Sequence, residues 1–377
     1  MPSCAVLKGA GSLCLAGVLA FGTARAQPNV GPRFERLDSR GGLAHNTVLA
    51  LAQDAAGFVW VGTADGLCRY DGYGFVTYRH HPDRPDTLPD NTVQALLATP
   101  DGDLWVGTAA GVARLDRRMG RFVRYAPTGA DVVALVRQPG GTIWASALGR
   151  EGHTRLLRYD PARGLLGEER MPQGKGVAAG PDGTLWRVEG RPRSRLVRRA
   201  ADARTFRSVY PLRPGEDGTF HVGPTGTVWL DVPGLDRAVD GGRLRGLPRL
   251  PGGRTYADAE ASDVLESRSG VVWVGMRDGL FRYDPSTGTG TAFPLDPSGD
   301  ALRNYVLAIV EDRAGGVWVG TRSGLYHHDP HRAAFDHLGP GAGLPDDLGP
   351  VMAVHEDETG ALWLDTLGGG LLRRDPA

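Results

Sequence analysis

The chain alternates short apolar runs with polar turns. In "TVQALLAT", residues 92–99, apolar residues recur at alternate positions, and the turn "PDGD" follows. The runs "LWVGT", "VARLD" and "RFVRYAP" come next, separated by "AAG" and "RRMG". Strands of four to eight residues with Gly, Asp, Asn and Pro between them are typical of an antiparallel meander. The segment therefore predicts four consecutive short strands.

This four-strand unit returns along the chain, and a tryptophan marks the second strand of each copy. The tryptophans are Trp60, Trp105, Trp144, Trp186, Trp229, Trp273, Trp318 and Trp363. Their separations are 45, 39, 42, 43, 44, 45 and 45 residues, which scattered tryptophans would not produce. A period of about 40 to 45 residues with four strands per unit is that of a β-propeller blade. The sequence thus predicts an all-β propeller.

Two turns recur with the tryptophan. An Asp-x-x-Gly turn or a close variant precedes the second strand, as at 54–57 and 312–315, and a Gly follows it at Gly66, Gly279 and Gly324. A tight hairpin there requires positive φ, which glycine adopts readily. We expect each Trp to wedge between neighbouring sheets, since an aromatic side chain buries roughly 150 to 250 Å². The alternative, a ring of tryptophans that grips a sugar or a cation, requires further assumptions.

The number of blades is left open between two values. Eight repeats favour an eight-bladed ring, closed when "RFERLDSRGGL" (33–43) adds the missing fourth strand to the Trp363 unit. The competing count is seven blades closed by the same segment, with the Trp363 unit left over. The third to fifth units, "WASALGREG", "WRVEGRPR" and "WLDVPGLDR", keep Trp but lose Gly-Thr. These three sheets are therefore expected to be less regular.

The composition and charge are consistent with this fold and exclude some classes of binding partner. The 377 residues include 56 Gly and 27 Pro, as many turns require, and the formal net charge is zero. Because no basic cluster is interleaved with aromatics, nucleic acid is not an expected partner. The mature chain has no run of 18 apolar residues, so no membrane span is expected in it. With only Cys68 in the mature chain, no intrachain disulfide is possible.

The N-terminus predicts export. Lys8, the apolar run "GAGSLCLAGVLAFG" (9–22) and "ARA" before Gln27 have the layout of a cleaved secretory signal at residues 1–26. A membrane anchor is the alternative, but fourteen residues are too few to cross about 30 Å of hydrocarbon. The predicted domains are therefore a signal peptide at 1–26 and a propeller at 27–377, in the periplasm or secreted.

The repeats resemble those of the two-component regulator propeller family. The resemblance rests on "HNTVLALAQDAAGFVWVGTADGLCRYDG", "LPDNTVQALLATPDGDLWVGTAAGVARLD" and "LRNYVLAIVEDRAGGVWVGTRSGLYHHD", and it weakens in the middle of the chain. It implies an extracytoplasmic sensing region of a histidine kinase or diguanylate cyclase receptor. In that family a second ring, a membrane helix and an output domain normally follow, and this chain shows none. A signalling partner or a missing C-terminal output domain is therefore expected.

A ligand site is predicted on one face of the ring. Connections between blades and turns between the second and third strands meet at this face, here termed the upper face. Polar side chains converging there suit a small molecule or an oligosaccharide, although Asn and Asp also cap turns. The candidate ligand-binding residues are His45, Asn46, Asp65, Asn91, Asp278, Arg303, Asn304, Tyr305 and Arg322.

Catalytic chemistry finds little support in the sequence. The two histidines of each adjacent pair, His80-His81 and His327-His328, point to opposite sides of a strand, so neither pair is expected to bind a single metal ion. No cofactor or catalytic residue is expected. "AAGPDGTLWRVEGR" and "HVGPTGTVWL" are similar to the streptogramin lyase repeat. That resemblance keeps a propeller lyase as an alternative, with His221 and Glu189 its nearest candidates. A secreted protein-interaction scaffold is the third possibility, because propellers serve all three functions.

Overall fold

The computed structural model describes residues 4–7, 18–19 and 32–374 with internal gaps. The gaps are 117–118, 128–130, 150–153, 161, 173, 191–193, 214–219, 231–234, 240–241, 252–253, 255–258, 297, 331–349, 360 and 368–369. The predicted signal cleavage site lies outside the described residues. The chain divides into two compact units, 32–330 and a second unit of 1–31 with 331–377. Each unit is described by itself.

The unit 32–330 contains seven four-stranded sheets, numbered here in chain order. Sheet 1 has strands Val48–Gln53, Val59–Thr63, Gly66–Tyr70 and Phe75–Tyr78. Sheet 2 has Val93–Ala98, Leu104–Thr108, Gly111–Asp116 and Arg121–Pro127. Sheet 3 has Asp131–Arg137, Ile143–Leu148, Thr154–Asp160 and Gly164–Met171. Sheet 4 has Gly174–Ala179, Leu185–Glu189, Arg195–Arg199 and Arg207–Pro211.

Sheets 5 to 7 complete the set. Sheet 5 has strands Phe220–Val222, Thr227–Leu230, Asp236–Val239 and Gly242–Gly246. Sheet 6 has Asp263–Glu266, Val272–Met276, Gly279–Asp284 and Thr289–Phe293. Sheet 7 has Val306–Glu311, Val317–Thr321, Leu325–His328 and the N-terminal strand Glu35–Leu37. A 3₁₀ turn, Ser39–Gly41, and a short helix, Ala301–Asn304, lie in connections. Neither of these helices, the two in the described residues, has the length and apolar character needed to cross a bilayer.

The tryptophans join the sheets into a ring, as predicted. Trp60 packs against Val93 and Val106 of sheet 2, and each later Trp packs in the same way on the next sheet, up to Trp273 on sheet 7. Trp318 of sheet 7 packs against Val48 and Val61 of sheet 1, which returns the series to its start. The first strands of neighbouring sheets also contact one another in a cycle. The seven sheets therefore surround a common axis as a β-propeller.

The N-terminal strand completes sheet 7, which selects the seven-blade count of the two that the sequence left open. Glu35 pairs with His327, and Leu37 pairs with Leu325. The eight-blade count is wrong, because this strand pairs in the Trp318 sheet and the Trp363 repeat belongs to the second unit.

In that second unit, strands Val351–Glu356, Leu362–Thr366 and Gly370–Arg374 form a meander. Cys4–Leu7 pairs with the last of these strands, and Val18–Leu19 pairs with Cys4–Leu7. Every residue of Val351–Glu356 is exposed, including Met352 and Val354. This strand lies at one edge of the sheet, and Val18–Leu19 lies at the other.

Of the three middle sheets that were expected to be less regular, only sheet 5 is irregular. Sheets 3 and 4 are regular meanders, but sheet 5 exchanges its last two strands. Gly242–Gly246 pairs with Thr227–Leu230 in parallel, and Asp236–Val239 forms the outer edge.

The close spacing between neighbouring sheets requires glycine at the last position of Trp-x-Gly. A Cβ at Gly107 would lie 2.7 Å from Cγ1 of Val132, and a Cβ at Gly62 would lie 2.7 Å from Cγ1 of Val93. In both cases the valine belongs to the first strand of the next sheet. Only a residue without a side chain allows the sheets to approach this closely.

The Asp of the preceding turn binds the indole of the same sheet. Trp60 Nε1 donates to Asp54 Oδ2, and Trp318 Nε1 donates to Asp312 Oδ2 at 2.8 Å. Sheet 5 has Gly223 at this position, and Trp229 instead donates to Glu266 of sheet 6 at 2.9 Å. A Cβ at Gly223 would collide with that carboxylate, so the glycine makes room for Glu266.

Candidate functional site

The connections predicted to meet at the upper face do meet there. The N–H of Ala64 donates to Thr47 O, and the N–H of Ala109 donates to Thr92 O. These bonds join the turn after each second strand to the start of the first strand of the same sheet. The upper face is therefore built from the loops that the sequence placed there.

Asp65 and Asn91 form a network that fixes the connection between sheets 1 and 2. Asn91 Nδ2 donates to Asp65 Oδ1 at 3.0 Å, and Asn91 Oδ1 accepts the N–H of His80 at 2.7 Å. Arg79 Nη2 lies 3.2 Å from Asp65 Oδ2. Both predicted site residues are thus engaged in holding a loop.

His45 and Asn46 lie before the first strand of sheet 1 and also make local bonds. His45 Nδ1 accepts the N–H of Thr47 at 2.9 Å, and Asn46 Oδ1 accepts the N–H of Ser39 at 2.8 Å. Because Nδ1 accepts, a neutral His45 carries its proton on Nε2. The imidazole is exposed, so this N–H is directed to solvent or ligand.

Tyr305 and Arg322 form a cation–aromatic pair on sheet 7. The Arg322 guanidinium lies 4.8 Å from the centre of the Tyr305 ring. The Arg322 carbonyl accepts from Thr47 Oγ1 at 3.5 Å, so this pair adjoins the loop of His45 and Asn46. An exposed guanidinium, a half-buried ring and an imidazole thus meet where sheet 7 touches sheet 1.

Arg303 and Asn304, of the adjoining helix, differ in what they can contact. Asn304 is 1% exposed, and its Oδ1 accepts from the N–H groups of Leu295 and Asp296. It is therefore a loop anchor. Arg303 is exposed, and its side chain lies 3.9 Å from Asp296 Oδ2. Hydrogen bonds from Ser298, followed by the charge of Arg303, hold the pKa of Asp296 below its usual value, so the carboxylate is ionised.

Asp278 pairs with a different residue and lies apart from the group of Tyr305, Arg322, His45 and Asn46. It lies in the corresponding turn of sheet 6 and forms an ion pair with Arg254 at 2.5 Å. Its other oxygen, Oδ1, is buried and has no hydrogen-bond partner among the described residues. The structure thus brings Tyr305, Arg322, His45 and Asn46 together and leaves Asp278 apart.

A cavity of about 300 Å³ lies on the opposite, lower face. It is lined by the ends of the first strands of sheets 3, 4 and 5, including Arg137 and Val222, and by Pro139, Pro181 and Pro224. The Arg137 guanidinium pairs with Asp101 at 3.1 Å. Sequence reasoning missed this cavity, although the proline that recurs in three successive turns signals it.

Two titratable side chains on first strands have shifted pKa values. Burial lowers the pKa of His221 to about 4 and raises that of Asp263 to about 6. The Asp263 carboxylate accepts the N–H of Ile309 at 2.8 Å, from the first strand of sheet 7. His221 is therefore neutral and Asp263 ionised at pH 7.

His221 and Glu189, the candidates for a lyase, lie at different levels of the ring. His221 pairs with Trp229, whereas Glu189 pairs with Gly174 at the upper end of sheet 4. Trp186, the counterpart of Trp229, lies three residues before Glu189 on the same strand, or about 10 Å away at strand spacing. Glu189 is also paired with Arg195 at 3.0 Å. The geometry does not form an acid–base pair from these two residues.

Comparison with solved structures supports the propeller fold. The extracellular domain described as that of the hybrid two component system BT4673 from B. thetaiotaomicron matches with a TM-score of 0.61 at 18% identity, over 91% of this chain and 45% of that chain. Streptogramin B lyase matches with a TM-score of 0.61 at 16% identity, over 78% of this chain and 96% of the lyase. At these identities the likeness concerns the fold, and this chain is a β-propeller.

The sequence comparisons concern the repeats. Residues 42–65, 87–110 and 302–323 match the family described as "Two component regulator propeller". A stretch of 42 residues is 45% identical to "Histidine kinase P4" of Formosa agariphila, covering 11% of this chain and 3% of that protein. Three segments of this propeller, in its first, second and seventh sheets, therefore match the repeat of that family. The chain spans less than half of the BT4673 domain and a small part of the kinase.

Proposed function

We propose that this chain is an extracytoplasmic sensor propeller that binds a small molecule or an oligosaccharide at its upper face. In this proposal it is the input region of a two-component or cyclic-dinucleotide signalling receptor, and catalysis belongs to a partner or to an output domain. The observation that carries the proposal is a closed ring whose repeats match the two-component regulator propeller family. The fold of the BT4673 extracellular domain supports the same role.

The proposed contact surface is the junction of sheets 7 and 1. Here the Tyr305 ring and the Arg322 guanidinium offer an apolar face beside a positive charge, a combination that suits a polar ring with hydroxyl or acidic groups. The exposed imidazole of His45 adds a hydrogen-bond donor. Asp65, Asn91 and Asn304 hold the surrounding loops in place, so their contribution is to positioning.

Thermal-shift screening of the purified chain against carbohydrates and peptides tests the proposal. A ligand that binds only the folded state stabilises it by RT ln(1 + [L]/Kd), so the melting temperature rises with the logarithm of ligand concentration above Kd. Arg322→Ala is expected to abolish this shift, and Asp101→Ala, on the lower face, is expected to preserve it. No shift with any compound, together with a protein that co-purifies from the periplasm, would favour an interaction scaffold.

Export is part of the proposal and has its own test. Cleavage after Ala26 would remove the strand Cys4–Leu7, which pairs with Leu371 and Leu372 in the second unit. The mass of the chain recovered from periplasm or medium is expected to begin at Gln27. A full-length chain in the cytoplasm would contradict export.

A lyase is the second candidate function, favoured by the match over 96% of Streptogramin B lyase. Magnesium-dependent loss of a streptogramin B substrate, abolished by His221→Ala, would support it. Absence of turnover by the purified chain rejects it, and the positions of His221 and Glu189 lead us to expect that result.

A further inference from the structure

The cavity on the lower face lies where two sheets lack a side chain that the other sheets have. Six residues before the Trp, sheets 1 and 7 have Asp54 and Asp312, whereas sheets 4 and 5 have Gly180 and Gly223. Both glycines line the cavity. Its volume of about 300 Å³ is at the lower end of the range of about 300 to 1,000 Å³ that is usual for small-molecule sites. The departure from the repeat thus coincides with space for a small ligand.

The residue after this position also keeps the cavity open. In sheets 6 and 7 it is an arginine that reaches the next sheet. Arg268 Nε lies 3.2 Å from Glu311 Oε2, and Arg313 Nη1 donates to the Ala55 carbonyl at 2.7 Å. In sheets 3 to 5 the residue is a proline that lines the cavity, and these prolines are Pro139, Pro181 and Pro224. A proline ring is short and fixed in conformation, so the three rings leave a gap with a rigid apolar border, here termed the proline rim.

Arg137, at the end of the first strand of sheet 3, supplies a positive charge to the lining. Its Nη2 donates to Asp101 Oδ2 at 3.1 Å, and its Nε and Nη1 have no hydrogen-bond partner among the described residues. The Asp101 side chain is 71% exposed, and ion pairs this open to water are weak. Guanidinium groups bind carboxylates through two parallel hydrogen bonds. A carboxylate from solution can therefore bind Arg137 without displacing a buried partner.

The remaining lining is apolar or already engaged. Ala179 and Val222 extend the apolar surface of the proline rim. The Gln138 amide is engaged at both ends, because its Oε1 accepts from Trp144 Nε1 at 2.7 Å and its Nε2 donates to the Gly183 carbonyl at 2.5 Å. The lining thus favours a ligand with one negative group and an apolar body.

A carboxylate borders the far side of the cavity. Glu266 accepts from Trp229 Nε1 at 2.9 Å, and its side chain occupies the space where a Cβ on Gly223 would lie. A second acidic group on the ligand would therefore approach this carboxylate when the first is bound to Arg137. Like charges in proximity repel each other, so the arrangement selects against a dicarboxylate.

We propose that the lower-face cavity binds a free aromatic monocarboxylate. The carboxylate accepts from the Arg137 guanidinium, and the aromatic ring packs on the proline rim. Proline and aromatic rings pack well together, as when proline-rich segments dock in aromatic-lined grooves. The inference goes beyond the proposed sensing role and uses none of the residues at the junction of sheets 7 and 1. A peptide that ends in phenylalanine offers the same chemistry, so the test separates these two sources.

Isothermal titration calorimetry of the full chain at pH 7 tests this site. The probes are benzoate, phenylacetate and 3-phenylpropionate. Acetate, which lacks the ring, benzyl alcohol, which lacks the charge, and terephthalate, which adds a second acid, are the comparison compounds. At least one of the three aromatic acids is expected to bind with a Kd at least tenfold lower than that of every comparison compound. A tripeptide that ends in phenylalanine with a free carboxylate is expected to bind more weakly than this acid.

Two substitutions in one ion pair are expected to change that Kd in opposite directions. Arg137→Gln removes the charged donor and should raise the Kd at least tenfold. Asp101→Asn removes a carboxylate that competes for Arg137 and should lower the Kd about two- to fivefold, the range expected for an exposed ion pair. Loss of a merely structural ion pair would weaken binding in both variants. Arg204→Gln, which changes an exposed arginine between the third and fourth strands of sheet 4, should leave the Kd unchanged.

Four outcomes would overturn the inference. If no aromatic acid binds at millimolar concentration, the site does not exist, and a thermal shift that depends on Arg322 would still support sensing at the upper face. If acetate binds as tightly as the aromatic acids, the proline rim does not contribute. If Arg137→Gln binds normally, or if Asp101→Asn binds more weakly, the ligand does not contact Arg137 in the way proposed. If the tripeptide binds more tightly than every free acid, the cavity is a site for a peptide terminus.

Discussion

The indole N–H of Trp60 donates to the carboxylate of Asp54 with 2.6 Å between Nε1 and Oδ2. The other oxygen of Asp54 accepts the N–H groups of Ala56 and Phe58, so one side chain fixes both the turn and the tryptophan. Sheet 2 lacks this bond. Thr99 occupies the position of Asp54, and Trp105 Nε1 is buried with no hydrogen-bond partner among the described residues.

Asp54→Ala and Thr99→Asp are therefore expected to change stability in opposite directions. The first leaves a buried indole N–H unpaired and should lower the free energy of unfolding by about 1 to 3 kcal/mol. The second supplies the missing acceptor and should raise it. Urea denaturation followed by tryptophan fluorescence measures both changes. The two changes need not be equal in size, but a stabilised Asp54→Ala variant or a destabilised Thr99→Asp variant would disprove the role given to this bond.

Gly107→Ala tests the spacing between sheets 2 and 3. The added methyl group would meet Val132, and overpacking of this kind costs about 1 to 3 kcal/mol. Gly74→Ala is the matched control, because a Cβ there meets nothing within 4 Å. Thermal denaturation of the two variants is expected to show a lower melting temperature for Gly107→Ala alone.

Phe34→Ala tests closure of the ring. Phe34 precedes the N-terminal strand and packs against Phe293 and Trp273 of sheet 6, with ring centres 6.0 and 6.4 Å apart. Loss of this half-buried ring should cost about 1 to 3 kcal/mol. Tyr73, which is 99% exposed, provides the control, and Tyr73→Ala should change stability by less than about 0.5 kcal/mol. Similar effects of the two substitutions would argue against a role for the N-terminal segment in closure.

Asp263→Ala is expected to stabilise the protein at neutral pH. The pKa of Asp263 is about 6 in the fold, against about 3.9 in an unfolded chain. The folded state thus binds the proton of Asp263 more tightly than the unfolded chain does. The stability that comes from this proton is lost as pH rises from about 4 to about 6. At pH 7 the penalty is of the order of 3 kcal/mol. Sheets 1, 2 and 7 have Ala50, Ala95 and Ala308 at this position, so the substitution fits the framework. A stability gain of the variant that is the same at pH 4 and pH 7 would contradict the assignment.

His221→Leu is expected to have the opposite pH dependence. Burial lowers the pKa of His221 to about 4, so the unfolded chain binds the proton more tightly. The stability that neutral His221 contributes through this difference in pKa is lost as pH falls from about 6.5 to about 4. Leu97 and Leu265 occupy the corresponding place opposite Trp in sheets 2 and 6. The variant should therefore lose less stability than the native chain between pH 6.5 and 4, as measured by denaturant titration across that range.

Local rules in the sequence were sufficient to predict the four-stranded meanders, but not the exchanged strands of sheet 5. The Trp period gave the number of repeats, and the positive φ of Gly66, +121°, confirms the predicted hairpin turn. Which sheet receives the N-terminal strand could not be predicted, because "RFERLDSRGGL" resembles the fourth strand of a repeat without indicating which repeat it completes. The register shift at the start of the first strands, between Val48 and Ala50 for example, also has no distinct sequence signal.

The contacts of the candidate site residues could not be predicted from the sequence. Asp65, Asn91 and Asn304 were placed on the correct face, but their hydrogen bonds are directed to their own loops, which residue type alone does not reveal. A second recurring residue was missed. An arginine pairs across the strand with each Trp from Trp60 to Trp273, and His327 takes its place in sheet 7. Alignment of the repeats on Trp would have shown this arginine.

The pairing of Glu35 with His327 has a consequence for how the chain is made. Residues of the N-terminal strand wait for partners that are synthesised almost three hundred positions later. Until then the outer edge of the final sheet and one side of the first sheet are open to solvent. Vectorial synthesis therefore delivers an arc of nearly complete sheets, and the last step of folding joins its two ends.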